Sequence, residues 1–455
     1  MRRKKEIDEW ALNYWLLQRY AKLCFRISYR NIEFINLENI PRNQPVLIAP
    51  NHQNALMDAM AFVTQTPFQH VFLARADIFK GKRLTSFLTY LNIMPIFRIR
   101  DGIENVKKND AVFDKTTKVL HNRHNPLVIY PEGNHGDHRR LRPLVKGLFR
   151  IAFQAQENFG ASPAVKIVPV GIDYGHYQHF RTTLLMQAGE PIEIGDFYND
   201  YNSNPVAAIN QLKDLYIERL RKLVIDIQTK EFYDLYMSMR EIFNDNMRSI
   251  LNIQGTSLYD KFRADKVMID ILDRELQSGI DEIRALDKMV ADYRQALKNA
   301  DLRDHIIKKK PDNLLVSILK SSLFIALSPV FLFGFINNYL PYWFTGTRVK
   351  NLKDPQFHSS FKYVVGMIAF PVWYLIIAGI LGIFSVPFWL IILYLVLLPV
   401  TGVFAFDYFI WFKKFRASLR FSFLRNKTKM KSLVLSRKKI IEKMTDIINR
   451  NKSII

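Results

Sequence analysis

Ile48-Ala49-Pro50-Asn51-His52-Gln53-Asn54-Ala55-Leu56-Met57-Asp58 is an apolar run ending on a histidine, with a carboxylate six positions later near the start of a helical stretch. Such a run reads as a buried strand that turns into a helix, the local pattern of an α/β domain. A neutral imidazole is the side chain best suited to take a proton from an alcohol near pH 7. A nearby carboxylate holds its tautomer and stabilises the imidazolium that forms. Alone, the pair equally describes a structural contact at a helix start, so its meaning depends on its company.

Downstream, Val128-Ile129-Tyr130-Pro131-Glu132-Gly133-Asn134-His135 reads as a buried strand entering a Pro/Gly turn. Turns of that kind are where α/β proteins place functional groups, which makes this one a second wall for a site. Between the two lies Met94-Pro95-Ile96-Phe97-Arg98-Ile99-Arg100-Asp101-Gly102, an apolar strand ending in two arginines, a fork suited to phosphate or carboxylate. Val165-Lys166-Ile167-Val168-Pro169-Val170-Gly171-Ile172-Asp173 adds another strand.

With these four segments in this order, roughly Asn31 to Asp196 resembles the glycerolipid acyltransferases, the glycerol-3-phosphate and 1-acylglycerol-3-phosphate acyltransferases. The resemblance implies an α/β acyltransferase domain, a mixed sheet flanked by helices. It implies that His52 is the general base and Asp58 its orienting acid. Asn51, Arg98, Arg100, Pro131, Glu132 and Gly133 would then line the acceptor side, with Arg100 on the phosphate and Arg98 beside it. The acyl donor would be acyl-CoA or acyl carrier protein, the acceptor glycerol 3-phosphate or its 1-acyl derivative, and no cofactor would be needed. Dihydroxyacetone phosphate or another lysophospholipid is the alternative acceptor, and a silent membrane scaffold with this fold is the alternative of a different class.

The chain departs from the family pattern in three places. The spacing is H-x5-D instead of the commoner H-x4-D, which in regular helix would rotate Asp58 by about a further 100°. The pair still meets if His52 precedes the first helical turn, and the longer spacing resembles a sub-branch containing fungal-type glycerol-3-phosphate acyltransferases. Tyr130 stands where Phe is usual. After the Glu-Gly turn come Asn134-His135-Gly136-Asp137-His138-Arg139-Arg140, which leave open which residue meets substrate. His135, Asp137 and His138 lack a zinc-site spacing, so no metal is expected. Cys24, in an apolar stretch, is the only cysteine, which excludes an intrachain disulfide and makes a thiol nucleophile a poor candidate.

At 455 residues and 49% apolar, the chain has material for more than one unit. The expected organisation is a membrane-proximal amphipathic helix over 1–30, the acyltransferase domain over 31–203, a helical, coiled-coil-like region over 204–310, a membrane region over 311–412 and a basic cytoplasmic tail over 413–455. In the first of these, Trp10, Tyr14, Trp15, Leu17, Tyr20, Leu23 and Phe25 suit either headgroup depth or packing on the domain. Met268, Ile271, Leu272, Leu276, Ile280, Ile283, Leu286, Val290, Tyr293 and Leu297 recur at steps of three and four, the stripe of an amphipathic helix, which suits a helical hairpin or coiled-coil arm packing on its neighbours better than a lipid-binding face.

Leu314–Ile336, Tyr363–Phe384 and Val386–Phe412 are apolar stretches, the last two long enough to span roughly 30 Å of hydrocarbon and separated only by Ser385. The tail after Phe412 holds fourteen Lys/Arg against Glu442 and Asp446, about half of the chain's net +23. This places it in the cytoplasm. Met1-Arg2-Arg3-Lys4-Lys5 gives no signal-peptide pattern, and the donors are cytosolic, so the catalytic domain is expected on the same side. Both ends inside require an even number of crossings. Leu314–Ile336 is therefore expected to be re-entrant, in-plane or bent into a hairpin at Pro329. The concentration of charge beside membrane segments, without a nucleic-acid signature, points to anionic lipids and away from DNA or RNA.

Overall fold

The computed structural model describes residues 7, 9, 11–97, 104, 109–122, 125–160, 162–309, 312–424 and 427–451. Two compact units emerge, one of residues 1–226 with 351–364 and one of residues 227–350 with 365–455. The expected Arg98 and Arg100 lie outside the described residues.

In the first unit α1 (Leu12–Ser28) runs directly into β1 (Tyr29–Ile35). There follow β2 (Val46–Pro50), α2 (Leu56–Gln65), β3 (Val71–Arg75), α3 (Gly81–Tyr90), β4 (Ile93–Ile96), α4 (Asn109–His121) and β5 (Leu127–Val128). The unit continues with α5 (Gly147–Phe159), β6 (Lys166–Tyr174), β7 (Thr182–Ala188), β8 (Ile192–Glu193), α6 (Tyr198–Ser203) and α7 (Pro205–Leu223). The strands make a mixed sheet in the order β1-β7-β6-β2-β5-β3-β4, with β8 paired to β6. β7 and β8 run antiparallel to β6, while β2 is parallel to both neighbours, Ile48 lying beside Val128 and Val168.

β2 is buried at every position because helices cover both faces of a sheet whose central strands are parallel. Val46, Leu47 and Ile48 are at most 1% exposed, each contributing roughly 1.5–3 kcal/mol by burial. Phe149 and Phe153 of α5 and Leu212 and Tyr216 of α7 pack against this part of the core. The Tyr216 hydroxyl donates to the Ala49 carbonyl at 3.0 Å, which ties α7 to the strand just before the site. On α1, Tyr14, Ala21 and Phe25 are buried and the Gln18 amide donates to the Val63 carbonyl, whereas Leu12, Leu16 and Leu23 stay more than half exposed. Residues 351–364 complete the unit, the Tyr363 hydroxyl donating to the Ala21 carbonyl at 2.7 Å.

The second unit is helical: α8 (Tyr233–Ile250), α9 (Leu258–Ser278), α10 (Ile280–Asn299), α11 (Asp304–Lys308), α12 (Leu314–Val349), α13 (His358–Ile383, whose first residues belong to the first unit), α14 (Phe388–Leu424) and α15 (Thr428–Arg450). The stripe read as one helix is divided at Gly279 between α9 and α10. Met268, Ile271, Ile283, Leu286 and Val290 are buried, but Ile280 at the break is 36% exposed. Periodicity cannot see such a break, because the helix that follows resumes the same pattern. The basic tail is itself an amphipathic helix. Arg437 pairs with Asp304 at 2.8 Å, Arg450 with Glu275 at 3.0 Å, and Leu433, Ile440, Met444 and Ile447 are buried.

Three helices, Leu314–Val349, Pro355–Ile383 and Phe388–Leu424, are long and apolar enough to cross a membrane. The hairpin bend expected at Pro329 is absent: α12 continues through it. Proline removes the N–H that would bond the carbonyl four residues back, here Ile325, and the Ser328 hydroxyl donates to that same carbonyl at 2.7 Å. Between α13 and α14 the chain turns at Ser385, whose φ is 55°.

Candidate active site

Asn51 to Ala55 are the non-helical residues between β2 and α2, and they absorb the extra residue of the H-x5-D spacing. Ala55 takes a positive φ of 44°, the left-handed side that favours glycine, so a short strained turn aims the chain into α2. Asp58 therefore falls in the first turn of α2 while His52 precedes it, and His52 Nδ1 lies 2.7 Å from Asp58 Oδ2.

Asp58 is fully buried and fully occupied. The same Oδ2 accepts the Gln53 and Asn54 N–H groups at 2.9 and 2.8 Å, and Oδ1 accepts the Tyr174 hydroxyl at 2.6 Å. Donors on both oxygens at a helix N-terminus fix the orientation of this carboxylate. His52, with Nδ1 committed to Asp58, has Nε2 left for chemistry, and it lines a cleft with Glu132, Arg139, Arg140 and Arg142. The Tyr130 ring stacks on the imidazole at 4.1 Å between centroids, so the aromatic at this position acts as a floor for the histidine.

The Glu-Gly turn reaches the same place from β5. Gly133 bonds back to the Tyr130 carbonyl at 3.1 Å, and its φ of 64° suits glycine. The Pro131 carbonyl accepts the Val145 N–H at 2.8 Å, which pins the turn. Glu132 faces His52: its Oε1 accepts the His52 backbone N–H at 3.0 Å and its Oε2 the Arg142 Nε at 2.8 Å. Arg142 also donates to the His52 carbonyl at 3.1 Å and to the Asn134 carbonyl. One guanidinium thus joins the two motifs, its planar fork serving three acceptors. Burial pushes the Glu132 carboxyl up, with Arg142 and the His52 N–H opposing.

Asn51 spends both ends of its amide on β6, donating to the Ile172 carbonyl at 3.0 Å and accepting the Ile172 N–H at 2.7 Å. His135 stands edge-on to His52 at 5.5 Å and is capped by Phe357 at 4.8 Å. Burial, then the positive fields of His52 and Arg142, lower its pKa to about 4, so it stays neutral near pH 7. Ser359 donates to Asn54 Oδ1 at 2.6 Å, and Asn54 donates to the Tyr177 carbonyl at 3.0 Å. Residues 351–364 therefore wall one side of the site. Among the described residues no cluster of His, Cys, Asp and Glu could hold a metal ion.

Of the residues singled out in the sequence, His52, Asp58, Glu132, Pro131, Gly133 and Asn51 come together. Arg142, Tyr174, Phe357 and Ser359 were missed, and His135 is one of the residues after the turn whose role the sequence left open. Arg142 sits in the basic run His138-Arg139-Arg140-Leu141-Arg142 after the turn, a signal available in the sequence. Phe357 and Ser359 gave none, being some 300 positions from the histidine.

Residues 31–173 match the protein-family model described as Acyltransferase. They form an acyltransferase domain. Similar proteins include Glycerol-3-phosphate O-acyltransferase 2 of Saccharomyces cerevisiae, 25% identical over 252 residues, 51% of this chain and 31% of that protein. Glycerol-3-phosphate O-acyltransferase 1 of the same yeast is 25% identical over 205 residues, 42% of this chain and 25% of that protein. The 1-acyl-sn-glycerol-3-phosphate acyltransferase of Bacillus subtilis is 23% identical over 190 residues, 42% of this chain and 87% of that protein. The chain thus spans less than a third of the yeast proteins' length. The crystal structure of the 1-acyl-sn-glycerophosphate acyltransferase PlsC from Thermotoga maritima covers 46% of this chain and 79% of its own at 16% identity, with a TM-score of 0.33.

Proposed function

We propose that this protein is a membrane-bound glycerolipid acyltransferase that moves an acyl chain from a thioester, acyl-CoA or acyl carrier protein, to a hydroxyl of glycerol 3-phosphate or 1-acylglycerol 3-phosphate. The observation that carries the proposal is the His52–Asp58 pair at 2.7 Å in a cleft lined by three arginines, within an acyltransferase domain. His52 Nε2 takes the acceptor's hydroxyl proton as its oxygen attacks the thioester carbonyl. The carbon–sulfur bond then breaks and the imidazolium returns the proton to the leaving thiolate. Asp58 stabilises the imidazolium, and a buried anion so close to it acts with little screening.

The phosphate of the acceptor suits the arginines: Arg98 and Arg100 by the family resemblance, and Arg139, Arg140 and Arg142 by their place around the cleft. Glycerol 3-phosphate is the first acceptor to try, because the yeast relatives that carry that name align over as much as 51% of the chain. Three helices apolar enough to span a bilayer support membrane attachment, and the basic tail supports a cytoplasmic catalytic face. The test is an acyl-transfer assay of the purified chain with labelled acyl-CoA or acyl carrier protein against glycerol 3-phosphate, 1-acylglycerol 3-phosphate, dihydroxyacetone phosphate and lysophosphatidylcholine. Transfer to none of them leaves the scaffold reading.

A further inference from the structure

A cavity in the helical unit is lined by none of the residues of the acyltransferase site. It encloses about 730 Å³ in the helical unit, between α8, the end of α10, α11 and the polar end of α14. That volume is in the range of small-molecule sites.

Its wall is rich in cations. After its apolar stretch, α14 carries Lys413, Lys414, Arg416 and Arg420; Lys413, Arg416 and Arg420 recur at three and four residues and so share a face. Arg294, Lys298 and Arg303 add three more from the other side. The lining carboxylates do not cancel this charge. Asp304 is taken by the Tyr293 hydroxyl and by Arg437, both at 2.8 Å. Asp301 is 74% exposed and only 3.8 and 3.5 Å from Arg416 and Arg420, and exposed pairs of that kind hold little energy. Only Asp234 and Glu241 remain. His305, also on the wall, has a buried Nε2 with no hydrogen-bond partner, and its pKa is lowered by burial and then by Lys414 and Arg303.

We propose that this cavity binds a phosphate monoester group, delivered as the headgroup of an anionic phospholipid. The apolar stretch of α14 ends at Phe412, so Lys413 and Arg416 begin where hydrocarbon gives way to headgroups. Phe409, Trp411 and Phe412 are 42–47% exposed beside them and offer acyl chains a surface.

The test uses the full-length chain purified in detergent and in phosphatidylcholine nanodiscs. Native mass spectrometry measures retention of phosphatidate against phosphatidylcholine, and calorimetry measures binding of pyrophosphate to the nanodisc sample. The expected result is at least a tenfold preference for phosphatidate, lost in Lys413→Gln/Arg416→Gln/Arg420→Gln and weakened in Lys298→Gln/Arg303→Gln on the opposite wall. A variant that removes as much charge from the exposed face of α15, Lys431→Gln/Lys438→Gln/Lys439→Gln, should keep the preference. If phosphatidate retention is unchanged in both cavity variants, or lost equally in the α15 variant, the site is refuted. Pyrophosphate binding that depends on the cavity cations, without a phosphatidate preference, overturns the lipid source. The second wall variant guards against misfolding of the first.

Discussion

Replacing Asp58 by asparagine separates charge from shape. The amide oxygen can still accept the Gln53 and Asn54 N–H groups, and its NH2 can donate to the Tyr174 hydroxyl oxygen, so the turn into α2 keeps its hydrogen bonds. What disappears is the negative charge 2.7 Å from His52 Nδ1 in a fully buried position. Two unit charges about 4 Å apart at an effective dielectric near 20 attract by about 4 kcal/mol. At 1.36 kcal/mol per decade, losing that attraction from the transition state, where the imidazolium exists, slows transfer roughly 10³-fold. His52→Ala should cost roughly 10²–10⁴-fold. The assay is the rate of labelled acyl transfer to glycerol 3-phosphate at saturating donor, with thermal unfolding of each variant as the control. Asp58→Asn within tenfold of the wild type, at an unchanged Tm, would refute the assignment of the imidazolium as the intermediate that Asp58 serves.

Arg142→Lys should lower kcat/KM by roughly tenfold or more, since an ammonium cannot serve the three acceptors that the guanidinium joins, and wild-type kinetics in this variant would remove Arg142 from the site. Arg100→Ala, beyond the described residues, should raise the acceptor KM with little change in donor KM; a donor-side defect would reassign it. Burial lowers the His70 pKa from 6.5 to about 3, so the unfolded chain takes the proton first and stability falls as pH drops through that window, by about 2 kcal/mol at pH 5. His70→Phe, among Phe62, Phe68 and Phe72, should flatten Tm between pH 7 and 5; an unchanged slope would exclude His70 as its source. Single cysteines near Lys5 and Lys452, both outside the described residues, and at Lys353, in a Cys24→Ser background, should resist an impermeant thiol reagent until cells are permeabilised. Labelling at Lys452 alone in intact cells means an odd number of crossings, and labelling at Lys353 alone means that α12 crosses.

The elements whose burial is local were legible in the sequence. β2 is apolar at every position because both its faces are covered, and the histidine that follows it, the Pro-Glu-Gly turn and the carboxylate six positions on all lie within short stretches. What escaped depends on the third dimension. Tyr174 reaches Asp58 across 116 positions because β6 lies beside β2, a pairing that no local pattern encodes. Arg142 looks like one more cation in a basic run until the turn folds it back on Glu132. Gly279 interrupts a helix without disturbing its stripe, and Pro329 fails to interrupt one because Ser328 stands in for the missing N–H.

The loop that walls the site joins two of the apolar helices. Phe357 caps His135, Ser359 holds Asn54 and Tyr363 holds Ala21, so residues 351–364 belong with the acyltransferase domain. α12 ends at this loop. α15, in turn, binds Asp304 and Glu275, which precede α12, so the residues before α12 and after α14 share a face. Two crossings, α13 and α14 turning at Ser385, meet that condition. One contact pulls against them: α12 lies antiparallel along α14, with Asn338 donating to the Leu398 carbonyl and Phe324 packed on Tyr408. At 36 residues α12 is about 54 Å long, more than one crossing needs, and its seam follows the apolar stretch of α14. Loss of transfer on Phe357→Ala at an unchanged Tm would show that residues 351–364 wall the working site, and wild-type transfer would remove them from it.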